Sequence, residues 1–272
     1  MKPANRITEC FARLRARDES ALVPFLTAGD PDVGVTRELL AAVCRGGADL
    51  IELGVPFSDP TADGPAIQRS STRAIERGVS LPKILELVVE TRRASEVPIV
   101  LFGYYNPIFH YGPEKFARDA RDAGVDGLLV VDLPPEEADE LYLPARAAGL
   151  EMVFLLAPTS DESRVRAVMK KAGGFVYFVS MTGVTGSKRI ETAAVRRMVA
   201  ELRRHCGLPI GVGFGITTPD EAAEVAVFAD AVIVGSAIVR LIEDNAGSPA
   251  LVGRVEEFIR QLKVGTRRAA DC

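Results

Sequence analysis

Residues 22–32 read LVPFLTAGDPD, a short apolar run that leads directly into a polar turn. Seven more short apolar runs recur along the 272-residue chain, separated by stretches with helical periodicity. Near-continuous apolar runs are typical of parallel strands buried on both faces, so we predict an α/β protein. The eight predicted strands are Leu22–Leu26, Leu50–Leu53, Ile99–Phe102, Gly127–Val131, Met152–Leu156, Phe175–Val179, Leu208–Val212 and Ala231–Val234.

The turn after the first run bears on the choice between two α/β architectures. An open doubly wound sheet is expected to carry a Gly-rich G-x-G-x-x-G turn after its first strand, and TAGDPD at residues 27–32 lacks that pattern. A closed (β/α)8 barrel needs eight strand–helix units in about 250 residues, which fits the number of runs. We therefore predict a single-domain TIM barrel over residues 1–272, without a linker or a low-complexity segment.

Elements outside the eight repeated units are also predicted. Ile7, Phe11 and Leu14 lie at helical spacing, so residues 1–18 are expected to form an N-terminal helix that plugs the bottom of the barrel. A short extra helix is expected after the eighth strand, and residues 265–272 are expected to form a flexible tail.

The segment between the second and third strands, residues 54–98, is long enough to hold more than one loop and one helix. Barrel enzymes place functional groups in such material at the carboxyl ends of strands. Among the ordinary helices, one is predicted to start at Pro134–Glu137, and the helix after Asp161 is predicted to end at Gly173.

Composition limits the possible functions. The net charge of −4 gives no bulk electrostatic argument for binding nucleic acid or an anionic membrane. The cysteines and histidines are isolated in sequence, so neither a zinc motif nor a redox C-x-x-C motif is present. The N-terminus has no apolar signal region and no stretch reaches 18 apolar residues, so a reduced cytoplasmic location is predicted.

Glycines after the last two predicted strands suggest a phosphate site. Gly213 and Gly215 follow the seventh strand, and Gly235 and Ser236 follow the eighth and lead into a short helix. In a barrel these loops place free backbone N–H groups and a helix N-terminus around an anion. The alternative is that the glycines only permit tight turns. Residues 180–188, rich in Gly and hydroxyl groups, form either a lid over the substrate or an ordinary exposed loop.

Two carboxylates follow or interrupt the second strand. Glu52 lies in an apolar run with no Lys or Arg at positions 46–68, so burial is expected to raise its pKa and suit it to acid/base work. Asp63 precedes Gly64-Pro65, where an Asp is usually a turn residue or the N-cap of the following helix, so its pattern alone favours a structural role over a functional one. No lysine except Lys188 lies in a predicted strand-end loop, which disfavours a Schiff base. These residues indicate carboxylate acid/base chemistry on a phosphorylated substrate.

Five motifs resemble the tryptophan synthase alpha chain family in order and spacing, over nearly the whole chain. ELGVPFSDP followed by ADGP is the most specific of them. The motifs are PFLTAGDP (24–31), IELGVPFSDPTADGP (51–65), TGVTG (182–186), GVGFGI (211–216) and GSAIV (235–239).

The resemblance implies a TIM barrel that cleaves indole-3-glycerol phosphate to indole and D-glyceraldehyde 3-phosphate in L-tryptophan biosynthesis. The reaction is a retro-aldol cleavage without a metal or cofactor. Glu52 matches the family's Glu that moves protons between the substrate hydroxyl and the indole C3. Asp63 matches the Asp that stabilises positive charge at the indole N–H, and Thr185 matches the lid residue that bonds this Asp.

The resemblance also implies binding residues and a partner. Residues around the indole ring are Phe25, Phe102, Tyr177 and Phe214, and phosphate-binding residues are Gly186, Gly213, Gly215, Gly235 and Ser236. A beta chain carrying pyridoxal phosphate is expected to complete an α₂β₂ heterotetramer. The surface that contacts the beta chain is expected in two loops, around Pro56–Asp59 and Tyr104–Asn106. The contact residues expected there are Pro56, Asp59, Tyr104 and Asn106.

The chain departs from the family pattern at two positions. Thr61 stands where many members carry Leu, and Met181 stands where some carry Arg, which bears on lid closure and on signalling between subunits. Two alternatives remain at this point. One is a different phosphate-binding barrel lyase or isomerase, and the other is a non-catalytic subunit that binds and activates a partner enzyme.

Overall fold

Eight parallel strands close into a barrel, because each strand pairs with its sequence neighbour and the eighth pairs with the first. The computed structural model describes residues 5–179, 192–213 and 215–267. The strands are β1 (Ala21–Thr27), β2 (Ile51–Gly54), β3 (Ile99–Gly103), β4 (Gly127–Val130), β5 (Glu151–Leu156), β6 (Val176–Phe178), β7 (Ile210–Gly213) and β8 (Ala231–Val234). The predicted (β/α)8 barrel is confirmed, and all eight predicted strands lie within two residues of the observed ones.

Helices surround the barrel, and the two predicted additions near the strand ends are present. The gap after β2 holds two helices, and a short helix follows β8. The helices in the described residues are α1 (Arg6–Arg15), α2 (Val33–Gly46), α3 (Pro65–Glu76), α4 (Leu81–Arg92), α5 (Tyr105–Tyr111), α6 (Pro113–Ala123), α7 (Asp139–Ala148), α8 (Glu162–Met169), α9 (Thr192–Arg203), α10 (Pro219–Ala226), α11 (Ser236–Asp244) and α12 (Leu251–Thr266). None of these helices is both long and apolar enough to cross a membrane.

Strand alternation divides the apolar residues into two cores. On β1, Leu22 and Leu26 face outward and pack with the surrounding helices. Val23 faces inward with residues of the same parity on the other strands, such as Leu50 and Val100. Because side chains alternate between faces, each inward position on a strand projects into the barrel interior. Both faces are apolar, which explains the unbroken hydrophobic runs in the sequence.

Helix α1 closes the amino-terminal end of the barrel, as the sequence predicts. Ile7, Phe11 and Leu14 are buried in the same cluster as the inward strand residues. The Phe11 ring packs against the Phe175 ring with centroids 5.7 Å apart. Asn5 caps the helix by accepting from the Ile7 N–H at 2.9 Å, and its amide donates to the carbonyl oxygen of Asp126 at 2.8 Å. The interior below the active end is therefore sealed by apolar side chains.

The expected start of the flexible tail at residue 265 is wrong. Helix α12 continues to Thr266, which is buried and whose carbonyl accepts from the Ser20 N–H at 3.2 Å. Arg267 then forms an antiparallel bridge with Glu19. These contacts attach residues 265–267 to the segment before β1, and the remaining tail residues lie outside the described part of the chain.

Two predicted helix ends also differ. Helix α7 begins at Asp139, after turns over residues 135–138, rather than at Pro134–Glu137. Helix α8 ends at Met169, so Gly173 is not its cap. Gly173 instead lies against Glu151, where an added Cβ would come within 1.7 Å of a carboxylate oxygen. A larger residue at position 173 would therefore displace the Glu151 side chain, and this contact, not a helix end, distinguishes the position.

Truncation of the plug is expected to destabilise the protein. We predict that Phe11→Ala lowers the free energy of unfolding by about 3–5 kcal/mol, because it leaves a cavity between α1 and Phe175. The same substitution at Phe109, which is 54% exposed, is expected to cost less than about 1 kcal/mol. Urea denaturation of the isolated chain measures both, and similar losses for the two variants would contradict a plug that is part of the core.

Candidate active site

The Glu52 side chain projects into the barrel because it has the inward parity of Leu50. In the strand register it lies between Phe25 on β1 and Val100 on β3. The residue is 1% exposed, and its Oε1 has no hydrogen-bond partner among the described residues. Burial without a counter-charge raises its pKa from 4.5 to about 8. The expected buried, unpartnered carboxyl is therefore present.

Asp63 lies in the loop between β2 and α3, at the same end of the barrel. It is not the N-cap of α3, because Gly64 occupies that position and no side chain caps the helix. The Asp63 carboxylate instead accepts a hydrogen bond from the Tyr104 hydroxyl at 3.1 Å. Burial raises the pKa of Asp63 to about 6, and the bond from Tyr104 partly opposes that rise. The N-cap alternative for Asp63 is wrong.

Tyr104 has a position that the sequence did not reveal. It was expected on the contact surface for a partner, but it is 3% exposed and its ring packs against Phe57 at 5.1 Å. Its hydroxyl accepts from the Ala62 N–H at 3.0 Å while donating to Asp63, so it holds both the Asp63 carboxylate and the backbone just before it. The only sequence signal is its position immediately after β3, where barrel enzymes carry functional groups.

Aromatic side chains enclose the space near the two carboxylates. The Phe25 and Phe102 rings meet edge to face, with centroids 5.3 Å apart. The pKa of Tyr177 lies well above its ordinary value because the hydroxyl is buried, with the negative charges of Glu52 and Asp63 adding to the rise. The two carboxyls therefore both lie near the Tyr177 ring. An apolar slot with two carboxyls nearby suits a flat heteroaromatic ring that carries an N–H group.

Small residues lie at the ends of β7 and β8, next to this slot. At Gly213 an added Cβ would lie 2.2 Å from the Tyr177 hydroxyl, so a glycine is required there. Gly215 has φ +66, which a glycine adopts without strain. Gly235 precedes α11, and Ser236 is the first residue of that helix. The first N–H groups of a helix have no acceptor within it, so the start of α11 favours an anion.

Some expected site residues are not described, and the expected partner loops are exposed in part. Thr185, Gly186 and Phe214, together with Met181, lie outside the described residues. Asp59 and Asn106 are exposed and Pro56 is half-buried, so all three are accessible to another chain. Among the described residues, no group of three or more His, Cys, Asp or Glu side chains is arranged to hold a metal ion.

Comparison with known proteins identifies the family. A family model described as tryptophan synthase alpha chain matches residues 11–267. The alpha chain of Geobacter sulfurreducens is 56% identical over 260 residues, covering 95% of this chain and 98% of the relative. The alpha chain of Desulfosudis oleivorans is 50% identical over 263 residues, covering 97% and 99%.

The chain belongs to the tryptophan synthase alpha chain family. It is a lyase that cleaves indole-3-glycerol phosphate in tryptophan biosynthesis, and it works with a tryptophan synthase beta chain. The crystal structure of tryptophan synthase subunit alpha from Legionella pneumophila matches with a TM-score of 0.91 at 36% identity, covering 97% of this chain and 98% of that one. Tryptophan synthase from M. tuberculosis matches with a TM-score of 0.88 at 33% identity, covering 98% and 100%. The resemblance seen in the tryptophan synthase motifs is confirmed over the whole barrel.

The buried Glu52 carboxyl is expected to make stability fall as pH rises. The folded state holds the proton up to a pKa of about 8, whereas the unfolded chain releases it near 4.5. Deprotonation between these pH values therefore favours unfolding. We predict that Glu52→Gln is more stable than the parent at pH 8–9, with a melting temperature higher by about 2–4 °C per kcal/mol gained. The advantage is expected to vanish toward pH 4.5.

Thermal melts from pH 4.5 to 9 measure this difference. Glu38→Gln removes the same charge from the exposed face of α2 and serves as the control. If the stability difference between Glu52→Gln and the parent had the same size at all pH values, Glu52 would have the same pKa in the folded and unfolded states, and its raised pKa would be contradicted.

Proposed function

We propose that Glu52 is the general acid and base of the lyase reaction. The buried carboxyl has a pKa of about 8, so it holds its proton at neutral pH and is ready to give it to the indole C3. The resulting carboxylate then takes the proton from the hydroxyl group on the adjacent side-chain carbon. The bond between C3 and that carbon breaks, its electron pair returns to the indole ring, and an aldehyde leaves. Glu52 ends the cycle protonated, as it began.

We propose that Asp63 stabilises the charge that this protonation creates. Protonation at C3 leaves a positive charge on the indole N–H, and a carboxylate near that nitrogen favours the charged state. The pKa of Asp63, about 6, keeps the group ionised at neutral pH while Glu52 stays protonated. Two carboxyls in environments that separate their pKa values carry out different tasks in one site. The observation that carries the proposal is the contrast between the buried Glu52 carboxyl, whose Oε1 has no partner among the described residues, and Asp63, which accepts a hydrogen bond from Tyr104.

Binding of the two ends of the substrate is assigned to different groups. Phe25, Phe102, Tyr177 and Phe214 would hold the indole ring. The backbone at Gly213, Gly215, Gly235 and Ser236 would hold the phosphate, with Gly186 and Thr185 closing from the lid. Support comes from the edge-to-face Phe25–Phe102 pair, from the close approach of Gly213 to Tyr177, and from the free N–H groups at the start of α11.

The remaining proposals concern the setting of the reaction. Since the two carboxyls supply both the proton and the charge stabilisation, the alpha reaction is proposed to need no metal or cofactor, with pyridoxal phosphate bound only by the beta chain. The products are proposed to be indole and D-glyceraldehyde 3-phosphate.

We place the chain in a cytoplasmic α₂β₂ assembly in which Pro56, Asp59 and Asn106 contact the beta chain. Accessibility of these three residues supports that surface.

Loss of either carboxyl is expected to abolish or greatly slow indole release from indole-3-glycerol phosphate. Glu52→Gln removes the group that moves the protons, with an expected loss of at least about 10²–10⁴-fold. Asp63→Asn removes the stabilising charge, with an expected loss of about 10²–10³-fold. Both variants should still bind glycerol 3-phosphate and melt cooperatively. Asp122→Asn, an exposed change on α6, is the control and should turn over normally. Unchanged turnover by Glu52→Gln would contradict the assignment.

The dependence of kcat/KM on pH is expected to be bell-shaped. The active form has Glu52 protonated and Asp63 ionised, so activity should rise with pH near 6 and fall near 8. The pH dependence of kcat/KM reports the pKa values of the free enzyme. The acidic limb of the profile therefore corresponds to Asp63, and the alkaline limb corresponds to Glu52. The residual activity of Asp63→Asn should keep the alkaline limb and lose the acidic one. An acidic limb that survives in Asp63→Asn would show that another group causes it.

A further inference from the structure

An ion-pair network joins α3, which begins just after Asp63, to α11, which begins at the phosphate position. Glu243 near the end of α11 accepts from Arg69 at 2.8 and 2.7 Å and from Arg73 at 2.6 Å. Both arginines lie on α3. The two helices that carry the two ends of the proposed site are therefore fastened together by one carboxylate. These ion pairs hold the pKa of Glu243 at about 2, so the carboxylate stays charged throughout the pH range of activity.

Helix α3 is also fixed to the end of β1. Arg73 donates two hydrogen bonds to the buried Asp30, at 2.7 and 2.9 Å. One turn earlier, the Ser70 and Thr27 hydroxyls share a buried hydrogen bond of 2.6 Å. Arg73 thus contacts both Asp30 and Glu243, and it links the loop after β1 to α11 through α3.

Apolar contacts join the first turns of the same helices. Ala66 and Ile67 of α3 share a cluster with Val239 of α11 and with Phe25. An added Cβ at Gly235 would lie 3.9 Å from Ile67 and 3.7 Å from Phe25. A shift of α3 along α11 would therefore move the Asp63 loop relative to both the aromatic slot and the phosphate position.

We propose that Glu243 is a positioning residue for the lyase reaction, which sets the distance between Asp63 and the phosphate-binding start of α11 through its pairs with Arg69 and Arg73. The glycerol chain limits how far the substrate can span between its phosphate and its indole N–H, so the distance from Asp63 to the start of α11 decides whether Asp63 reaches the nitrogen. The inference rests on the assignment of Asp63 under the proposed function. It assigns Glu243 no contact with the substrate.

A second Arg–Glu pair in the chain serves as a matched control for the pair of Arg69 and Glu243. Glu256 on α12 accepts from Arg45 on α2 at 2.9 and 2.7 Å. The exposed fractions are 55% for Arg45 and 21% for Glu256, against 54% for Arg69 and 24% for Glu243. Exposed pairs of this kind contribute about 0–1 kcal/mol to folding stability. Removing Glu243 or Glu256 should therefore lower the free energy of unfolding by a small and similar amount. Only Glu243 lies between the two helices of the site.

The test compares Glu243→Ala with Glu256→Ala in the purified full chain. Because a misplacement of about 1 Å is enough to cost about 10²-fold, kcat of Glu243→Ala is expected to fall about 10–100-fold. Its KM and its affinity for glycerol 3-phosphate should change less than about 3-fold, since the start of α11 is intact. Glu243→Gln keeps the oxygen that Arg69 and Arg73 share and should recover part of kcat. Glu256→Ala should retain parental kcat.

A double variant distinguishes positioning from a general loss of structure. If Glu243 acts through Asp63, then Asp63→Asn with Glu243→Ala should be no slower than Asp63→Asn alone. Multiplied losses, or equal effects of Glu243→Ala and Glu256→Ala, would overturn the inference. Normal turnover by Asp63→Asn alone would instead overturn the proposed function. Asp63→Asn, Glu243→Ala, Glu256→Ala and the double variant therefore separate the two failures.

Discussion

The desolvation of one carboxyl is the constraint on which the proposed active site depends. Glu52 has the inward parity of Leu50, so closing the barrel places it in the interior, away from bulk water. Water is kept out from below by α1, whose Ile7 and Phe11 fill the amino-terminal end. Helix α1 lies at the opposite end of the barrel from the loops, yet it helps to keep the interior dry. The rise in the Glu52 pKa is thus a property of the whole closed barrel and not of neighbouring residues.

Asp63 completes the site because its surroundings differ from those of Glu52. A loop position leaves it half-buried, and the Tyr104 hydroxyl stabilises its charged form by donating to it. Glu52 has no such donor among the described residues. Two carboxyl groups in one site therefore differ in charge at neutral pH, with Glu52 protonated and Asp63 ionised. Tyr104 contributes twice, since its bond from the Ala62 N–H also fixes the loop that carries Asp63.

The sequence predicts what depends on local pattern and misses what depends on distant pairing. Apolar runs locate the strands because a strand buried on both faces must be apolar throughout, and the missing cations near Glu52 foretell its raised pKa. Tyr104 and Asp63 are 41 positions apart, and Arg73 and Glu243 are 170 apart, so no local pattern reveals that they touch. Gly173 resembles a helix end in sequence because nothing local shows that Glu151 lies against it. Only the family motif predicts a catalytic role for Asp63, because the local pattern at this position favours a turn residue or an N-cap.

The position of Glu243 at the C-terminal end of α11 is unfavourable for the helix by itself. The N-terminus of a helix favours an anion such as phosphate, and the C-terminus disfavours one by about 0.3–1 kcal/mol. Glu243 and Asp244 nevertheless end α11, and its last turn has no basic residue. Two arginines from α3 offset that unfavourable charge, so the carboxylate is acceptable only while α3 is in place. A cation at the end of α11 would stabilise the helix alone. A carboxylate there stabilises the helix only together with α3, and so it ties the helix that would bind phosphate to the helix that follows Asp63.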